Sequence, residues 1–204
     1  MFGKVAADVL GLSDIGSVIK PENYDKVDAD DYVMHEDGEK IFFLIKSKSD
    51  EYCFTNKALV HLDGTSAMSK KRVLRRFDYY RSNIQDILLE TAGTVDMDVE
   101  LKFTLGNAQY SIDVHKKHLE EVKDLYKALL KLAEIKRDNQ LALEDAKASI
   151  GVAASSVGTI RNTEADIVEQ FKAINQFTFD WNQQAKQKYR VKDFGFVFEK
   201  YINN

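Results

Sequence analysis

Six basic side chains, Lys70, Lys71, Arg72, Arg75, Arg76 and Arg81, stand within twelve residues against one carboxylate, Asp78, in a chain whose formal net charge is -4. Phe77, Tyr79 and Tyr80 are interleaved with them. Guanidinium and ammonium groups at this density suit an anion, either an anionic lipid headgroup or an acidic partner. They equally suit carboxylates of this protein, those of the acidic stretch Asp28 to Glu39 or of residues 94–105, within or between subunits. We expect the second arrangement, because surface ion pairs are common although individually weak.

Other spacings offer less chemistry. Asp96, Asp98 and Glu100 alternate along a strand-like run. Same-face neighbours on a strand lie about 6.6 to 6.8 Å apart, whereas calcium takes its oxygens at about 2.3 to 2.6 Å, so these three do not converge on one ion. His115 and His118 have a spacing that can bind a metal, but no third ligand motif accompanies them. They are expected to be exposed first-turn histidines. Cys53 and His61 could be imagined as nucleophile and base, yet Cys53 lies in the apolar run Tyr52 to Phe54 and is expected to be a small core residue. Gly93 and Gly106 are isolated turn glycines without a phosphate-loop ending, and no Gly-x-Ser-x-Gly elbow occurs. The expectation is no catalytic residue, no metal and no cofactor.

The elements that must position the basic segment are legible from periodicity. Seven strand-like runs occupy Lys40–Lys48, Glu51–Thr55, Ala58–Asp63, Ala67–Tyr79, Ile84–Thr91, Thr94–Leu105 and Gln109–Val114. In the clearest, Val95, Met97, Val99, Leu101, Phe103 and Leu105 alternate with polar residues, which predicts one buried and one wet face. Short breaks with turn chemistry, such as Asp63-Gly64 and Gly106-Asn107, predict an antiparallel meander, since parallel pairing needs longer crossovers. From His115 the period becomes helical: Leu119, Val122, Leu125, Tyr126, Leu129, Leu132 and Ala133 form a stripe that can plug an open barrel end.

Ahead of the strands, Phe2, Val5, Ala6, Val9 and Leu10 recur at helical spacing. Next come the only proline, Pro21, and the acidic stretch, read as a short surface helix with a solvated face. Behind the strands, residues 134–156 favour continued helix, and a turn is expected over 155–162. Thr163 and Asp166 resemble a capping box opening a second long helix. On it Ile167, Phe171, Ile174, Thr178, Trp181 and Ala185 follow four-three spacing, the seam of a helical hairpin. One partner helix covers one stripe, so Phe177, Phe179, Phe194, Phe196, Phe198 and Tyr201 leave apolar surface for another subunit to cover.

The segments Gly38 to Ser66, Ser69 to Gln85 and Leu89 to Phe103, with the following helix, resemble the bacterial pleckstrin-homology-like family, and the last third resembles the helical oligomerisation extension of some Gram-positive members. The resemblance implies an α+β fold: a seven-stranded antiparallel barrel capped by a C-terminal helix, then a helical hairpin. It also implies a homo-oligomeric scaffold without a catalytic centre. It does not imply phosphoinositide binding: Lys40, Lys46 and Lys48 all precede the first turn, while Asp50 and Glu51 follow it, unfavourable for a phosphate.

The expected division is therefore an N-terminal helical and acidic segment over 1–37, a pleckstrin-homology-like domain over 38–133 and a helical extension over 134–204. Ile167, Phe171, Ile174 and Trp181 are the expected oligomer interface, and Lys70, Lys71, Arg72, Arg75, Arg76 and Arg81 the anion or partner patch. The expected partners are further copies of the chain and a protein, with a membrane as the open alternative. Nucleic acid is not expected, for want of an overall basic footprint. One cysteine allows no internal disulfide, and no run approaches the roughly 18 apolar residues that span a bilayer. A cytoplasmic protein, membrane-peripheral in the alternative reading, fits these properties.

Overall fold

The computed structural model describes residues 13–64, 72–91, 93, 97–157 and 166–202. The strands run β1 (Ser17–Val18), β2 (Ile41–Lys46), β3 (Asp50–Thr55), β4 (Ala58–Gly64), β5 (Arg72–Asp78), β6 (Ile84–Glu90), β7 (Asp98–Leu105) and β8 (Ala108–His115). The helices are α1 (Leu119–Val157), α2 (Ile167–Tyr189) and α3 (Gly195–Tyr201). The chain forms two compact units, one of residues 1–133 with 192–204, and the other of residues 134–191.

Antiparallel pairing holds throughout both sheets, as the short turns require. Along β7, Val99, Leu101, Phe103 and Leu105 are buried while their neighbours are half-exposed, the period of two read from the sequence. The single closed seven-stranded barrel is corrected. Eight strands form a five-stranded sheet, β1 to β5 in order, and a three-stranded sheet, β6 to β8. At the turn after β5 the Arg81 and Ser82 N–H groups both donate to the Asp78 carbonyl, a tight helical turn that swings the chain into the other sheet. Asp86 then takes φ 54° at a register shift in β6.

The opposite edges are stitched together. The Gly16 N–H donates to the Asp113 carbonyl at 2.8 Å, and the Gly16 carbonyl accepts from the His115 N–H at 2.9 Å, just before β1 pairs with β2. A side chain has no room there: a Cβ on Gly16 would lie 2.7 Å from Ile45 Cγ2 and 2.9 Å from the Asp113 carbonyl oxygen.

Each face of the larger sheet is covered differently. Toward the smaller sheet, Phe54 meets Phe103 with ring centroids 6.2 Å apart, and Phe103 stacks on Tyr110 at 5.0 Å. Val122, Leu125, Ala128, Leu129 and Leu132 of α1 are buried in this unit, as the stripe predicts. On the other face Leu44, Cys53, Val60 and Leu62 lie under Ile19, Val27, Ala29 and Val33. That cover is not the expected surface helix but three 3-10 turns, Pro21–Lys26, Asp28–Tyr32 and His35–Asp37. Extended residues Val27 and Val33 interrupt it, so their side chains reach the sheet.

In the second unit α1 continues unbroken through Gly151 for a total of 39 residues. Asp166 caps α2, accepting from the Val168 N–H at 2.8 Å. The proposed N-terminal helix and Thr163 lie outside the described residues.

The stitch predicts that Gly16→Ala destabilises the protein by about 1–3 kcal/mol, the usual cost of overpacking against neighbours that cannot retreat. Urea unfolding should show a lower midpoint with an unchanged slope.

Candidate functional site: the basic strand and the helical extension

The basic segment becomes β5, whose alternation sends its arginines to two faces. Arg72 and Arg76 face the acidic cover. Arg72 Nη1 lies 3.1 Å from Asp28 Oδ2 and 3.6 Å from Glu51 Oε1. Arg76 grips Glu39 with two bonds, Nη1 to Oε2 at 3.0 Å and Nη2 to Oε1 at 3.1 Å, while its Nε donates to Asp78 at 2.9 Å. Arg75, on the opposite face, donates to Asp63 at 2.7 Å. Arg81 sits in the turn after the strand, its guanidinium 5.2 Å from the Tyr80 ring centroid. Lys70 and Lys71 lie outside the described residues. The described arginines of β5 thus meet carboxylates of their own chain.

Glu39, the end of the acidic stretch, and Glu51, read from the sequence only as unfavourable for a phosphate, organise this face. Both are 1% exposed. Glu39 accepts from Arg76, from the Thr55 hydroxyl and from the Met34 N–H. Burial pushes its carboxyl up, but those bonds and the Arg76 charge outweigh it and hold it below the ordinary value. Glu51 accepts from the Ala29 N–H at 2.7 Å and pairs with Lys46. The two carboxylates therefore tie the backbone of the cover to the sheet, and Lys46, part of the apparent phosphate-reading trio, is occupied. In sequence each stands among other acids, Glu39 two residues after Asp37 and Glu51 next to Asp50, and so reads the same as a solvated charge.

The remaining candidates separate. Adjacent positions of β3 alternate in direction, so Cys53 packs under the acidic cover while His61 stacks on Tyr52 at 4.4 Å and approaches Asp50 at 3.1 Å. They do not form a catalytic pair, and burial pushes the Cys53 thiol up. His118 is half-buried rather than exposed, 3.2 Å from Glu121, and His115 accepts from the Lys117 N–H. Among the described residues no group of three His, Cys, Asp or Glu side chains could hold a metal.

In the second unit Lys147 of α1 lines one groove with Thr178 and Asn182 of α2, which places the two helices side by side. Ala185 is the one buried side chain among its described residues. Thr178 and Trp181 are half-covered on the same seam. Toward the start of α2 the seam is bare: Ile167 is 78% exposed, Phe171 68% and Ile174 41%, with Phe177 and Phe179 exposed beside it. Phe194 and Phe198, expected to add apolar surface to the extension, are instead buried in the β unit.

Known proteins share this architecture. The family described as the bacterial PH domain matches residues 9–133, and the YvbH-like oligomerisation region matches residues 144–204. The chain is 55% identical over 204 residues to the uncharacterized protein YvbH of Bacillus subtilis (strain 168), covering 100% of both chains. A crystal structure of a PH-domain-containing protein from Exiguobacterium sibiricum 255-15 shares 55% identity and a TM-score of 0.86, over 93% of this chain and 100% of that one. The chain belongs to the bacterial pleckstrin-homology (PH) domain family and carries a YvbH-like oligomerisation region.

The Glu39–Arg76 pair predicts an asymmetry. Arg76→Met strands a buried carboxylate and should cost about 3 kcal/mol, whereas Glu39→Gln leaves a partly exposed arginine still paired with Asp78 and should cost less. Because the folded pKa of Glu39 is depressed, the pair's contribution is present above the ordinary value of 4.5 and is lost as pH falls through the lower folded value. The gap in urea midpoint between wild type and Arg76→Met should therefore close on acidification below that value.

Proposed function

We propose that the protein is a non-catalytic, cytoplasmic PH-like scaffold that assembles with further copies of itself through its helical extension and presents its β unit to a protein partner. The observation that carries self-association is the near absence of a core among the described residues of 134–191. Two helices with a single buried side chain among the described residues, Ala185, leave Ile167, Phe171, Ile174, Phe177 and Phe179 in water. An exposed row of this kind is what an interface covers. Burying each such side chain stabilises by about 1.5–3 kcal/mol, so a few hold an oligomer together. The oligomerisation region of the family supports the same reading.

The basic segment remains the partner patch of this proposal, through Arg75, Arg81, Lys70 and Lys71 more than through Arg72 and Arg76. Nothing comparable favours a membrane adaptor: Arg72, Arg75 and Arg76 are paired with carboxylates of their own chain.

Ile167→Glu and Phe171→Glu together change side chains that the single chain leaves exposed, so helicity and thermal stability of the subunit should persist. Light scattering over a dilution series should show the assembled wild type and a smaller particle for the double variant. An unchanged subunit number at every concentration means that the bare seam is not the interface. In a second measurement, the wild type should stay in the supernatant with vesicles rich in anionic lipid. Tight, salt-sensitive co-sedimentation, abolished by Arg75→Glu with Arg81→Glu, would replace the scaffold reading by the membrane one.

A further inference from the structure

The chain leaves the β unit along α1 and rejoins it at Lys192, so the extension is attached at both ends. The second attachment is built from hydrogen bonds and packed rings. Asn56, in the turn between β3 and β4, is 4% exposed. Its side chain accepts from the Lys40 N–H at 2.8 Å and donates to Asp193 Oδ2 at 2.6 Å, while its carbonyl accepts from the Phe194 N–H at 2.7 Å. The other oxygen of Asp193 accepts from the Gly195 N–H at 2.8 Å, opening α3. Phe198 then stacks on Phe42 at 5.5 Å, and Tyr79 meets Phe194 and Phe198 at 6.1 and 6.0 Å.

A helix of 7 residues has no stability of its own in water, so α3 is ordered by the pocket that receives it. We propose that residues 192–202 are a clasp that closes in cis on the Asn56, Phe42 and Tyr79 pocket, and that this closure holds the assembly to one subunit number. The inference rests on self-association through the extension and adds what regulates it. An extension held only by α1 samples more orientations than one tied down at both ends. A closed ring or dimer needs every interface to repeat one rotation. Opening the clasp therefore leaves the apolar seam intact and removes the constraint that makes the interfaces alike.

The test compares particle masses of full-length proteins by native mass spectrometry and light scattering. Phe194→Ala with Phe198→Ala opens the clasp through its core. Asp193→Ala opens it more gently, removing two hydrogen bonds and no apolar side chain. Asn56→Cys with Gly195→Cys locks it: a Cβ on Gly195 would lie 3.4 Å from Asn56 Cβ, close to the roughly 3.5–4.5 Å of a disulfide. The wild type and the oxidised lock should share one subunit number, the lock running as a single chain on a non-reducing denaturing gel. Both opened variants should still assemble, as a mixture of two or more subunit numbers, with the milder one retaining a larger share of the wild-type particle. A uniform wild-type number in both opened variants overturns the clasp, as does loss of all assembly in both, and so does a ladder of covalently linked chains from the lock. A monomeric wild type overturns the self-association reading itself and the clasp with it.

Discussion

A carboxylate removed from water must be met at both oxygens, and Glu39 is met by an arginine fork, a hydroxyl and a backbone N–H. The rest of the β unit is arranged around that requirement and its counterpart at Glu51. The arginine comes from β5, the hydroxyl from the end of β3 and the N–H from the acidic segment, so one side chain holds three parts of the chain in register. Beneath it lies the apolar floor of Leu44, Cys53, Val60 and Leu62, closed by Val27, Ala29 and Val33. The 3-10 turns have no side-chain caps and weak intrinsic stability, and it is the charged bonds that aim their valines downward.

The same arrangement alters what a basic strand means. Taken as a list of residues, β5 is an anion-binding surface. Folded, its charges are divided between two faces, and Arg72, Arg75 and Arg76 each end within ion-pair distance of an acid from elsewhere in the chain. A basic strand can thus meet its complement inside its own fold, and fold alone assigns no ligand.

The extension poses the opposite physical problem. The β unit pairs its buried carboxylates Glu39 and Glu51, whereas α2 begins with three and a half turns of uncovered apolar side chains, Ile167 to Phe179. In the proposed scaffold another copy covers this face. The return of Phe194 and Phe198 to the β unit keeps the most apolar stretch of the C-terminus out of that face. In the proposed scaffold, self-association uses that defined seam rather than a general stickiness.

Local periodicity determined much of the molecule in advance. Alternation in β7, the turn residues between strands, the helical stripe from Leu119 to Leu132 and the four-three seam from Ile167 each depend on neighbours within a few positions, and each corresponds to an element of the structure. Three things depended on contacts between distant residues. The split into two sheets follows from how the turn after Asp78 closes and from Gly16 joining the sheets at one edge. The burial of Glu39 and Glu51, and with it the fate of Arg72 and Arg76, follows from the acidic segment folding over the sheet, more than 30 positions from the arginines it meets. The docking of α3 follows from Asn56 meeting Asp193, 137 positions apart. A charge, an amide or an aromatic ring looks alike in sequence whether it ends in water or in a pocket, because its partner is chosen by the tertiary fold and not by its neighbours along the chain.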